Sequence, residues 1–147
     1  MSIVRFVFFV LLSISLPAMA DEGVIGYVKT VKGDAMVVSG SQQTKAEVGT
    51  PVMAGNKLKT GANGSMGVTF KDNTVMSIGP NTDLTVDEYL YSPNKGKLKL
   101  GATMAKGTLA YLSGAIAKIK PDAVTVKTPT GTIGVRGTHF VLKVDED

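Results

Sequence analysis

The residues best placed to do chemistry lie near the C-terminal end. Thr128 to Phe140 read Thr-Pro-Thr-Gly-Thr-Ile-Gly-Val-Arg-Gly-Thr-His-Phe. His139 is the only histidine among 147 residues and there is no cysteine; Arg136 is the only arginine besides Arg5, against fourteen lysines. A guanidinium offers a planar fork of donors that an ammonium cannot reproduce. Arg136, Gly137, Thr138 and His139 are therefore the candidate site, with two readings. Arg136 could hold an anionic ligand or a partner's carboxylate. It could equally brace a corner, pairing with a carboxylate at the core edge or with loop carbonyls. Gly137 would then supply a backbone conformation that other residues avoid. His139 falls on the polar face of the alternation that follows, which marks it as a solvated side chain.

Other chemistries find little to work with. Nucleophilic catalysis needs a nucleophile, a base and an orienting group. The chain has one histidine, no cysteine and no Gly-x-Ser-x-Gly. The same composition removes the usual zinc ligand sets, and the carboxylates show no calcium-loop spacing. Asp83, Asp87 and Glu88 are close together but flank alternating apolar residues, as a solvated strand face does. Gly101 to Thr108 ends Lys-Gly-Thr rather than Gly-Lys-Thr, so it is not a phosphate loop. No catalytic residue, cofactor or metal is expected, and the chain reads as non-enzymatic.

The elements that must hold such a site are strands. Turn residues recur at short intervals, among them Gly33-Asp34, Gly55-Asn56, Asp72-Asn73, Gly79-Pro80-Asn81 and Ser92 to Gly96. Between them apolar and polar residues alternate with period two, as in Met66, Val68 and Phe70, or Leu84 and Val86. Thr138, Phe140, Leu142 and Val144 likewise alternate with His139, Val141 and Lys143. Short alternating runs bounded by turn signals predict half-buried antiparallel strands. Ala102 to Lys120 is less regular: a strand is expected over Gly107 to Leu112, then a short helix near 115–119, since Gly107 and Gly114 disfavour a longer one. The fold class is all-β, an antiparallel sandwich or rolled sheet of many short strands, and period counting does not choose between the two.

The N-terminus carries an address. Arg5 precedes an apolar run from Phe6 to Leu16, then Pro17 and Ala18-Met19-Ala20. Charge, a short apolar core and a small-x-small exit make a secretory signal peptide over 1–20. The run is about eleven residues, whereas a bilayer span takes roughly twenty. Cleavage after Ala20 leaves one domain over 21–147 with no stable membrane span. Export of a cysteine-free chain fits a bacterial periplasm or exterior. The net charge is +4, but the lysines are scattered singly and no aromatic–basic interleaving points to nucleic acid. Asp145-Glu146-Asp147 forms an acidic tail.

The order of these features resembles the FecR-type domain. Thr50 to Gly61 is similar to the family's early glycine-rich element, ending Lys59-Thr60-Gly61. Phe70-Lys71-Asp72-Asn73-Thr74 resembles its Asp-Gly-Thr turn, with Asn73 in place of glycine, a mild change because Asn tolerates positive φ. Asn81 to Val86, Gly107 to Gly114 and Lys127 through Thr138 resemble the later parts. The likeness covers about Val24 to Val144. It implies an all-β extracytoplasmic domain, the sensing part of membrane-tethered regulators of sigma factors, and supplies no catalytic residues. This sequence shows no internal membrane helix or cytoplasmic portion, so a released domain is expected. The leading expectation is a periplasmic or secreted module that binds an envelope protein or polymer, with a role in envelope signalling open. The alternative is a self-associating structural or assembly protein of the envelope.

Overall fold

The computed structural model describes residues 23–145; the leader expected at 1–20 and tail residues 146 and 147 lie outside them. The first strands are β1 Val24–Lys32, β2 Ala35–Ser39, β3 Gln42–Lys45, β4 Pro51–Met53, β5 Lys57–Thr60 and β6 Ser65–Phe70. Then follow β7 Val75–Ile78, β8 Asp83–Ser92, β9 Lys97–Leu112, helix α1 Ala115–Ile119, β10 Val124–Thr128, β11 Gly131–Gly134 and β12 His139–Val144. The helix and the alternating strands form where the sequence pattern predicts them. One boundary differs. Residues 97–112 make a single long strand, joining two segments that the sequence reads apart.

That strand decides the architecture. The twelve strands among the described residues form one sheet rather than two separate ones. One layer runs β12-β9-β7-β6-β1-β4 and the other β3-β2-β5-β8-β9-β10-β11. The N-terminal half of β9 pairs with β8 and β10, and its C-terminal half with β7 and β12. The sheet is therefore rolled over on itself, with β9 shared by both layers. Among the described residues every pairing is antiparallel except β9 with β10, which is parallel. A parallel pair needs a crossover of a dozen or so residues, and the stretch carrying α1 and the turn Pro121–Ala123 supplies it.

The bend in β9 falls at Gly107, whose φ is +105°. A Cβ there would lie 2.1 Å from the Thr82 hydroxyl and 2.4 Å from its Cα, so only glycine lets the two chains pass. Where β7 leads to β8 the chain crosses between layers at the same place, and buried hydroxyls stitch the crossing. Thr60 Oγ1 donates to Gly79 O at 2.6 Å and accepts from Thr82 N at 3.0 Å; Thr82 Oγ1 accepts from Thr108 N at 3.1 Å. Inward side chains from both layers fill the interior, including Val28, Val68, Phe70, Met76, Leu109 and Tyr111 from one, and Leu58, Leu84, Val86, Leu100 and Met104 from the other, all buried. Each such side chain contributes about 1.5–3 kcal/mol by leaving water.

Candidate functional site

Residues 135–138 carry the chain from β11 in one layer to β12 in the other. Val135 is buried, and its amide donates to Val124 O at 3.0 Å. Gly137 has φ +121°, in the region that favours glycine. Its carbonyl accepts from the Ser113 hydroxyl, and the Thr138 carbonyl accepts from Ser113 N at 2.8 Å. Ser113 thus fastens the crossing from behind. Arg136 points outward. Its guanidinium donates to Asp122 Oδ1 at 3.1 Å, with the two side chains 80% and 75% exposed. An ion pair that open to water contributes roughly 0–1 kcal/mol. Thr138 and His139 are also exposed. His139 lies opposite Leu112 on the outer face of β12, while Phe140, on the inner face, meets the Tyr111 ring at 5.0 Å. The four predicted residues stand together at one corner, and Asp122 is the partner that sequence separation hid.

A second polar cluster, which sequence reasoning saw only as a turn, lies inside the fold. Asp72 is 1% exposed. Its Oδ1 accepts from the Tyr89 hydroxyl at 2.8 Å and from Thr74 N at 3.3 Å; its Oδ2 accepts from the Thr74 hydroxyl at 2.7 Å and from Ile116 N at 3.0 Å. Its carbonyl accepts from Ala115 N at 2.8 Å. The carboxylate therefore satisfies the amino end of α1 from a turn 44 residues away, a role that the helix's own preceding residue, Gly114, has no side chain to fill. Asn73, with φ +69°, makes the turn that aims it. Burial, then the adjacent carboxylate, raises the Tyr89 hydroxyl well above the ordinary tyrosine range. Burial also raises the Tyr111 pKa. The hydroxyl of Tyr111 lies fully buried without a hydrogen bond of normal geometry, with Ser113 and Thr74 as its polar neighbours. Asp72 and Thr74 are buried and Tyr89 is half-buried, and the cluster holds α1 in place.

Access exists at the seam between the layers. Beside β9 on this side, β10 turns away after Thr128 and β12 ends at Val144. Between them lies a groove of about 430 Å³, lined by Ala105, Lys106, Thr128–Thr130, Ile133 and Leu142–Asp145. The turn that forms its wall is held by Thr128 Oγ1, which donates to Gly131 O at 2.9 Å. Ile133 lies opposite buried Val126 on the core-facing side of the hairpin, yet it is 37% exposed because the groove separates it from the layer across. A smaller groove of about 260 Å³ opens between β2, β3 and β4. On the outer face of the second layer, Glu88 pairs with Lys99 at 2.7 Å, which lowers the carboxyl pKa, and Asp87 accepts from the Thr103 hydroxyl. These acids face solvent as the sequence expects. Among the described residues no group of His, Asp or Glu side chains is arranged to hold a metal ion.

Comparison with known proteins agrees with the order of motifs. No curated protein and no solved structure matches the chain. The family model described as FecR protein matches residues 56–147. The matched part begins at buried Asn56 and takes in the Thr60–Thr82 crossing, the Asp72 turn, the whole of β9 and the Arg136 corner. Having the motifs, their order and the family match over more than half of its length, the chain belongs to the FecR family.

Proposed function

We propose that this FecR-family protein is an exported, non-enzymatic module that binds a protein or polymer of the bacterial envelope, in the periplasm or outside the cell. The observation that carries this reading is the groove at the seam. It joins an apolar floor, Ile133 and Leu142, to a polar rim, Lys106, Thr130, Lys143 and Asp145, a mixture suited to recognising a partner's surface. Family membership supports a place in envelope signalling, and the leader-like N-terminus supports export.

The test is crosslinking in whole cells followed by recovery of the tagged protein from the envelope. A specific partner is expected, and replacing Ile133 by Lys should reduce its recovery at least several-fold while leaving the fold intact. Recovery of bait alone after crosslinking, in growth conditions where the protein is made, would count against the reading. Edman sequencing of the same purified protein should begin at Asp21; an intact N-terminus would contradict release from the membrane.

A further inference from the structure

Among the described residues the rolled sheet leaves four strands with only one neighbour each, β3, β4, β11 and β12. An unpaired strand edge is a template for another chain, and proteins blunt it with short strands, Pro, Gly or charge. Three of the four are blunted. β4 is three residues long and begins with Pro51. β11 is four residues long with a glycine at each end. β3 is Gln-Gln-Thr-Lys, polar throughout, with all four residues exposed. β12 is six residues, His-Phe-Val-Leu-Lys-Val, with neither Pro nor Gly and a single lysine. Its inner residues Phe140, Leu142 and Val144 are only half-buried, and outer Val141 is 66% exposed.

We infer that β12 pairs antiparallel with β12 of a second copy, in the register that places Leu142 opposite the partner's Leu142. Side chains opposed across an antiparallel pair share a face, so the register can be checked position by position. On the inner face Phe140 meets the partner's Val144, and Leu142 meets its own counterpart. On the outer face Val141 meets the aliphatic stem of the partner's Lys143, and His139 meets the partner's Asp145. Apolar groups oppose apolar groups, and the carboxylate lies between its own Lys143, 3.6 Å away, and the partner's imidazole. Centring the pair on Val141 instead sets His139 against the partner's Lys143 and forfeits that match. A one-residue offset would set inner residues against outer ones. The two-fold operation makes each contact twice, as a closed dimer requires, and the six-strand layer ending in β12 becomes one sheet of twice that width.

Because the chain has no cysteine, the register can be read directly. The purified protein should have twice the monomer mass by light scattering at micromolar concentration. Under mild oxidation, a mixture of H139C and D145C should form the crosslinked heterodimer. Neither variant alone should do so, nor should V141C. Val141→Lys, at an exposed position that leaves the monomer's melting unchanged, sets lysines against the partner's Lys143 and should shift the protein to monomer. The proposal fails if the protein is a monomer at millimolar concentration, even if an unlike partner is then found on β12. It also fails if V141C crosslinks to itself while the mixed pair does not, or if the dimer is unaffected by Val141→Lys.

Discussion

Asp72 and Arg136 each tie a helical turn to the rest of the fold, one through the amides of α1 and one through Asp122, and their environments give them opposite weight. Asp72 is enclosed and its oxygens accept four hydrogen bonds. Removing a partner from a buried carboxylate leaves a desolvated group unsatisfied, at a cost of about 1–3 kcal/mol or more. Tyr89→Phe should therefore lower the unfolding free energy by about that amount at pH 7, and Asp72→Ala, which also releases the amino end of α1, by more. Arg136→Ala breaks a pair that water already screens and should cost less than about 1 kcal/mol. Urea unfolding of the three variants orders them. The raised Tyr89 pKa adds a pH signature. Above pH ~10 the unfolded tyrosine ionises while the folded one keeps its proton. The unfolded state then binds fewer protons, so stability falls as pH rises from there toward the folded pKa. Wild type should lose stability more steeply than Tyr89→Phe between pH 10 and 11.5, and equal slopes would contradict the assignment. At the other end of the scale, the depressed Glu88 pKa is a fully exposed effect of Lys99; its small stabilising share is lost as pH falls through the folded pKa.

Strands and turns were legible from spacing because burial on one face leaves a period of two, and the helix because its residues run Ala-Ile-Ala-Lys-Ile between Gly114 and Pro121. The continuity of β9 was not. Gly101, Ala102, Ala105, Lys106 and Gly107 give no alternating signal of their own; they are strand because β8, β10 and β12 border them. Asp122 as the partner of Arg136 and Asp72 as the cap of α1 were hidden for the same reason, since each contact is made by folding rather than by local pattern. The corner cluster itself could be read, because an isolated Arg between two glycines is a local feature. Gly107 makes the tertiary dependence testable. Any side chain there meets Thr82 and must adopt a positive φ, so Gly107→Val should destabilise by about 3 kcal/mol or more. A Tm within two or three degrees of wild type, measured by circular dichroism, would mean that the bend has another origin.

At the scale of the molecule, one strand belongs to both layers. The layer β3-β2-β5-β8 and the layer β7-β6-β1-β4 are each complete only when β9 lies along their inner margin. A chain made from its N-terminus therefore presents β1 to β8 as two unfinished sheets that share no paired strand until residue 112 has been added. Order should then arrive in one step rather than layer by layer: β9 borders both halves, and the crossover through α1 sets β10 beside it. A version truncated after Ser92 should show no cooperative unfolding transition, and in the whole protein the amides of β9 should exchange with deuterium only as fast as the molecule unfolds globally. The bend at Gly107 would thus also be a clock: it would set how much of the chain must be free to fold before this protein can first become itself.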